Sequence, residues 1–288
     1  MSAGPVPAEQ ATGRVWLITG ASSGFGRAIA EAALAAGDTV VAAVRKPRAL
    51  DDLVAAHADR VAAVELDVTE GTRIPAVVDE VIGRHGHVDV LVNNAGRALI
   101  GGVEETGDHE LRDLMELHFF GPATLTRAVL PHMRERGSGA IVQITSMGGR
   151  MSFAGVGAYS ATKFALEGLS EALAPEVAPF GIKVLIVEPG AFRTGLQRSG
   201  TRQDTAAIPA YEDILGPARA QQADIDGKQP GDPAKAAAAI LAALDADETP
   251  LRLPLGNDAA DAISASLDRA RTELSAWEPV ARGTDFDH

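Results

Sequence analysis

Tyr159 and Lys163 stand four residues apart in Ala158-Tyr159-Ser160-Ala161-Thr162-Lys163, a spacing that sets two side chains on one face of a helix. A free phenol has a pKa of about 10 and exchanges protons poorly at neutral pH. An ammonium beside it favours the phenolate and makes the group usable as an acid or a base. Thirteen residues before Tyr159, Ser146 follows the apolar run Ala140 to Thr145 and could donate a hydrogen bond to an oxygen on which charge develops. The three groups together suit proton exchange with a carbonyl or alcohol oxygen. Tyr-x-x-x-Lys is also the pattern of a plain surface helix pair, so the surrounding elements decide.

Those elements begin at Val15 to Ile18, an apolar, partly β-branched run that reads as a strand buried on both faces. It breaks at Gly20-Ala21-Ser22-Ser23-Gly24-Phe25-Gly26 and resumes as a helix over Ala28 to Ala36 that Gly37 can end. Gly20 permits the sharp exit from the strand, and Gly24 and Gly26 allow close approach of a pyrophosphate to the helix N-terminus. A tight connection with no ligand is the alternative reading of such a turn alone. Further strands are expected at Thr39 to Val44, Val61 to Leu66, Val88 to Val92, Ala140 to Thr145 and Ile182 to Val187, with Leu251 to Pro254 as an edge strand. Helices are expected at Arg48 to Ala58, 71–85, 108–135, 157–178 and Pro233 to Asp245, the last capped by Asp232. Alternation of this kind predicts an α/β, doubly wound Rossmann fold, a mostly parallel sheet with helices on both faces and ligands along its carboxyl edge.

Small or polar residues collect at those strand ends: Thr19-Gly20, Arg45, Asp67, Asn93-Asn94-Ala95-Gly96, Ser146 and Glu188-Pro189-Gly190. Each has a bland reading as a cap, turn or breaker, but one shared ligand explains them together. At the end of the second strand an acid would select a free ribose 2′-hydroxyl, whereas an arginine accommodates a 2′-phosphate. Val44 holds the acid's position and Arg45 follows it, so NADP(H) is expected over NAD(H), with a solvated basic turn as the alternative.

The chain has 288 residues, 46% hydrophobic and 23% charged, enough for one large α/β domain over 14–256. It has no cysteine, which excludes disulfides and thiolate chemistry and fits a cytoplasmic location. A net charge of −13 argues against nucleic acid or an anionic membrane as partner, and no apolar run approaches the roughly eighteen residues of a membrane span. Residues 1–13 lack the charged start and apolar core of a signal peptide and read as a frayed tail. No metal is expected.

With these motifs in one order, the chain resembles the short-chain dehydrogenase/reductase family over about residues 13–255. The resemblance implies a seven-stranded sheet and a cofactor site formed by Gly20, Ser22, Ser23, Gly24, Phe25 and Gly26. It extends that site to Asp67-Val68 at the adenine, Asn94-Ala95-Gly96, and Pro189-Gly190, Phe192 and Thr194 at the nicotinamide. It also implies catalysis by Ser146, Tyr159 and Lys163, with Lys163 also at the nicotinamide ribose. Homodimers or homotetramers built through the helices near 108–135 and 157–178 are a further implication. One position departs: the family commonly carries Asn where this chain has His118, in His118-Phe119-Phe120-Gly121. His118 either replaces that polar support in a proton relay or simply packs and bonds backbone.

Residues 191–232 lack sustained periodicity and read as a lid with short helices. Leu99, Ile100, Met147, Met151, Phe153, Val156 and Phe192 line an apolar pocket or belong to the core, which leans the substrate toward an apolar ketone, aldehyde or secondary alcohol. Residues 257–276 form an amphipathic helix with Ala262, Ile263, Leu267, Ala270 and Leu274 on one face, docked on the core or on a neighbour, and a tail follows to 288. The activity expected is hydride transfer between NADPH and a carbonyl. A non-catalytic NADP(H) sensor or scaffold, and an isomerase or eliminating enzyme on the same fold, are the other readings.

Overall fold

The computed structural model of the chain describes residues 13–198 and 200–286. Its elements are β1 (Val15–Thr19), α1 (Gly24–Ala35), β2 (Thr39–Val44), α2 (Asp51–Ala56), β3 (Val61–Glu65), α3 (Ile74–His85), β4 (Val90–Asn93) and a short β5 (Ala98–Ile100). Then come α4 (Asp108–Met115), α5 (Gly121–Arg136), β6 (Gly139–Ile144), α6 (Gly157–Val177), β7 (Ile182–Pro189) and a short β8 (Arg202–Asp204). The chain closes with α7 (Glu212–Asp224), α8 (Pro233–Asp245), β9 (Arg252–Leu255) and α9 (Asn257–Arg282).

Seven strands pair in parallel in the order β3-β2-β1-β4-β6-β7-β9. Every residue of β1 and β2 is buried, as a sheet covered on both faces requires. Side chains alternate along β1. Trp16 and Ile18 enter the layer under α1 and α8, while Val15 and Leu17 enter the layer under α3, α5 and α6. Each large apolar side chain buried this way contributes about 1.5–3 kcal/mol, so β1 is pinned from both sides and the glycine turn leaves it at a fixed point. Strand order reverses between β1 and β4, and the carboxyl ends there open a crevice.

Four details differ from the sequence expectation. The helical stretch over 108–135 is not continuous, because a π-helical turn, Glu116–Phe120, separates α4 from α5 and carries His118. β5 and β8 form a separate two-stranded parallel sheet that three-residue strands give no periodicity to reveal. The segment 191–232 holds one full helix, α7. The C-terminal helix runs on to Arg282 and packs on the body only through its first turns, at Ala259 and Ile263. The Asp232 cap is as expected, its Oδ1 accepting from Ala234 N at 2.8 Å, and Pro254 lies on the edge strand β9. Apart from Gly13, the expected N-terminal tail lies outside the described residues, as do the last two residues of the C-terminal one. Among the described residues no helix is long and apolar enough to cross a membrane.

Candidate active site

A cleft of about 840 Å³ runs along the carboxyl edge of the sheet. At one end the glycine turn is built from backbone. Gly20 and Gly24 have φ of +66° and +56°, the region that glycine tolerates best. A Cβ on Gly26 would lie 2.5 Å from both Gly20 O and Asn94 Nδ2, so only hydrogen fits where α1 crosses the end of β1. Ser23 caps α1 without a side-chain hydrogen bond, and Ser22, Ser23, Gly24 and Phe25 line the cleft. An anion-accepting helix N-terminus beside a groove too tight for side chains fits a dinucleotide pyrophosphate.

The turn is stitched to β4. Asn94 Nδ2 donates to Thr19 O at 2.8 Å, and Thr19 Oγ1 accepts from the backbone N–H groups of Asn94 and Ala95 at 2.9 and 3.1 Å. Asn94 therefore holds two strand ends together while it lines the cleft with Ala95 and Gly96. Asp67 also has local work: its Oδ1 accepts from Thr69 N and Oγ1 at 3.0 and 2.8 Å. Arg45, exposed at the end of β2, lines the same end of the cleft with Val44, Asp67 and Val68. On the far side are Pro189, Gly190, Phe192 and Thr194. Phe192 and Phe25 pack with ring centroids 5.0 Å apart, and a Cβ on Gly24 would meet Thr194 at 2.9 Å.

Ser146, Tyr159 and Lys163 meet midway along the cleft. Ser146 Oγ accepts from Gly148 N at 3.0 Å, which leaves its own proton to donate. Lys163 is buried, and its Nζ donates to Ile144 O at 2.9 Å while lying 5.7 Å from the Tyr159 ring centroid. Burial lowers the Lys163 ammonium to about 8, against the pull of Glu167. Burial also raises the Tyr159 phenol above its ordinary value, with the Ser146 hydrogen bond pulling the other way. The lowered phenol expected from the Tyr–Lys spacing is thus not realised in this state, because desolvation outweighs an ammonium that is turned toward Ile144.

His118 is fully enclosed, and its tautomer follows from its neighbours. Thr162 Oγ1 donates its single proton to Tyr159 O at 2.8 Å, and Arg97 N–H donates to His118 Nε2 at 3.2 Å. Nδ1 must then carry the ring proton, donated to Thr162 Oγ1 at 2.9 Å. Burial, then the charges of Lys163 and Arg97, hold the imidazole well below its ordinary pKa, hence neutral. Both nitrogens are engaged away from Lys163, and the ring stands edge-on to Tyr159 at 5.5 Å.

Beneath Lys163 lies a buried acidic pair. Glu167 meets Arg252 Nε at 3.2 Å and lies 2.7 Å from Thr145 Oγ1; Glu188 faces Arg150 and Arg252, each at 3.4 Å. Burial and the neighbouring Glu167 push Glu188 up to about 7.

The remaining end of the cleft is covered by 196–229. Leu196 and Ile225 join Ile100, Met147, Phe153 and Val156 there, with the amides of Gln197, Gln203, Gln222 and Gln229. Of the side chains left open between pocket and core, Leu99 is core at 2% exposure, since alternation along β5 turns it from Ala98 and Ile100, and Met151 is not among the cleft's lining residues. The covering segment is anchored by Glu105, which accepts from Gly102 N at 2.7 Å and Ile208 N at 2.9 Å and pairs with Arg219 of α7.

Comparison with known proteins decides the family. The model described as short chain dehydrogenase matches residues 14–205. The chain belongs to the short-chain dehydrogenase family. A short-chain dehydrogenase from Streptomyces avermitilis superposes with a TM-score of 0.90 at 63% identity, covering 96% of this chain and all of that one (100%). A short-chain dehydrogenase/reductase from Burkholderia phymatum, in complex with NAD, has a TM-score of 0.79 at 25% identity, over 93% of this chain and 96% of its own. A short-chain dehydrogenase from Burkholderia cenocepacia J2315, in complex with NADP, has 0.71 at 29% identity, over 93% and 98%.

Of the catalytic and cofactor residues expected in this dehydrogenase from sequence, all but Gly26 line the cleft, and Gly26 packs directly behind it. Sequence reading missed the four glutamines, the Glu105–Arg219 anchor and the Glu167–Glu188 pair. The glutamines follow no period, and the two ionic groupings join residues up to 114 apart in sequence. A buried-position acid in an apolar strand, such as Glu188 after Leu185-Ile186-Val187, was the one available signal.

Proposed function

We propose that this dehydrogenase is an NADP(H)-preferring carbonyl reductase or secondary-alcohol dehydrogenase with Tyr159 as acid and base. The observation behind the reading is the placement of Ser146, Tyr159 and Lys163 between a backbone-built anion cradle and an apolar, amide-lined end of one cleft. When bound, the nicotinamide supplies or accepts the hydride. Tyr159 holds the proton at the substrate oxygen and returns it in the reverse direction. Ser146, which accepts from Gly148 N–H and keeps its own proton, donates to the same oxygen. Lys163 spends one N–H on Ile144 O and has two left for the phenol and the cofactor's ribose. Its full burial near neutrality makes each of those bonds strong. His118 acts as a positioning residue, joining Arg97 of the β4–β5 loop to Thr162 of the catalytic helix.

Arg45 supports the preference for the 2′-phosphate, since a guanidinium at this strand end has a planar fork for it and no carboxylate stands at Val44 to repel it. The pocket end, lined largely by apolar side chains and neutral amides, favours a neutral apolar carbonyl compound. Exposed Leu111, Phe120 and Phe164 on α4, the π turn and α6 support a homo-oligomer through those helices. The cysteine-free composition suits a cytoplasmic setting.

Calorimetry with NADPH and NADH tests the cofactor reading. Wild type binds NADPH about tenfold or more tightly than NADH, and Arg45→Ala removes that advantage while leaving NADH binding unchanged. Equal affinities in the wild type would contradict it.

A further inference from the structure

We propose that α9 pairs with the α9 of a second copy of this chain as an antiparallel two-helix seam. Beyond Ser266 every described residue of this helix is exposed, so about four turns stand clear of the body. Helices draw most of their stability from packing of an apolar face, and this one has such a face. Ile263, Leu267, Ala270, Leu274, Trp277 and Ala281 are spaced four, three, four, three and four residues apart, the repeat of a helix pair. Leu267, Leu274 and Trp277 are 52%, 68% and 67% exposed, a large apolar stripe for a monomer to leave in water.

The flanking charges choose the occupant and its direction. In a parallel pair Glu273 of one copy would sit beside Glu278 of the other, like against like. Run antiparallel, with Leu274 opposite Trp277 of the second copy and Ala270 opposite Ala281, the seam places Arg271 beside Glu278 of the second copy, and symmetry makes the contact twice. Pro279 falls on the side away from the seam, where its missing N–H costs the pairing nothing. The helix carries no lysine and more acid than base, on a chain of net charge −13, which matches a complementary protein surface and not an anionic membrane.

The full-length chain supplies its own probe. It has two tryptophans, and Trp16 is completely buried, so the quenchable fluorescence identified by a Trp277→Phe control belongs to Trp277. In the wild type Trp277 should be shielded from acrylamide. Leu274→Asp, at an exposed position that leaves the body intact, should lower the sedimentation mass roughly twofold and expose Trp277. Arg271→Glu should weaken the association, and Arg271→Glu/Glu278→Arg should restore it. Freely quenched Trp277 in wild type, with the same mass in Leu274→Asp, would overturn the proposal. Shielding without any change of mass would assign the seam to residues 1–12 of the same chain and overturn it equally. Failure of the charge swap to restore pairing would overturn the antiparallel order.

Discussion

The two ends of the cleft are held by different physics. At the glycine end the contacts are made to backbone: Gly20 O lies 2.5 Å from where a Cβ on Gly26 would stand, and the Asn94 side chain, through Nδ2, bonds Thr19 O at 2.8 Å. These contacts join the ends of β1 and β4, strands buried on both faces, to the start of α1. At the other end the wall is side chains on a segment held to the body by a buried carboxylate, Glu105, and its partner Arg219. A wall of backbone admits one ligand shape, whereas a wall of side chains on an anchored segment can change from one relative to the next without disturbing the sheet. Ser146, Tyr159 and Lys163, the proposed catalytic groups, line the cleft between them.

One way to break this comparison is to release the anchor. Glu105→Gln removes the charge that Arg219 faces and one of two acceptors for Gly102 and Ile208 N–H. KM for the carbonyl substrate should rise about tenfold with kcat less affected, and NADPH affinity should hold. Those backbone N–H bonds, with Arg219, hold Glu105 below the usual carboxylate range. The stability it gives is therefore present above the unfolded pKa of 4.5 and lost as pH falls through the folded value. Equal loss of NADPH binding would show that the two ends are not independent.

Gly26→Ala attacks the other end. Overpacking there should cost about 1–3 kcal/mol and abolish tight NADPH binding. Gly83→Ala in α3 is the control, because nothing lies within 4 Å of the added Cβ, and it should be neutral or slightly stabilising. Thermal melts with and without NADPH read both.

The smallest expected effect concerns the floor. Glu188 titrates near 7 in the folded chain against 4.5 as a free group, so the fold binds its proton more tightly than the unfolded chain does. Its contribution is full below 4.5 and is lost as pH rises through 7. Glu188→Gln should thus gain of order 1 kcal/mol on wild type between pH 5 and pH 8, with the loss of the Arg150 and Arg252 contacts set against it. Melting curves at the two pH values measure that difference, and a variant that loses ground with rising pH would contradict the assignment.

What could be read from the sequence divides along the same line. β1, the glycine turn and α1 are specified by residues within one short stretch, and Tyr159, Lys163 and Ser146 by spacing on one helix and one strand end. The covering segment is specified by contacts that no local pattern records, such as Glu105 with Ile208, 103 residues away. The helical region expected over 108–135 is there, but its π turn at Glu116–Phe120 left no trace in the sequence, because it changes hydrogen-bond register without any change in composition. The phenol shift expected from the Tyr–Lys spacing counted the neighbouring ammonium and not burial, which raises the phenol instead. His118 stood out from sequence as a departure from the family's Asn, but its surroundings and tautomer needed the partners Arg97 and Thr162.

The most direct test of hydride transfer with Tyr159 as the acid follows NADPH absorbance with purified protein against ketones, aldehydes, diketones and 3-oxoacyl thioesters. The wild type should oxidise NADPH with at least one apolar carbonyl compound. Tyr159→Phe should lose that turnover by about 10²–10⁴-fold while still binding NADPH. Turnover retained in Tyr159→Phe, or tight NADPH binding with no turnover across the panel, would contradict the account.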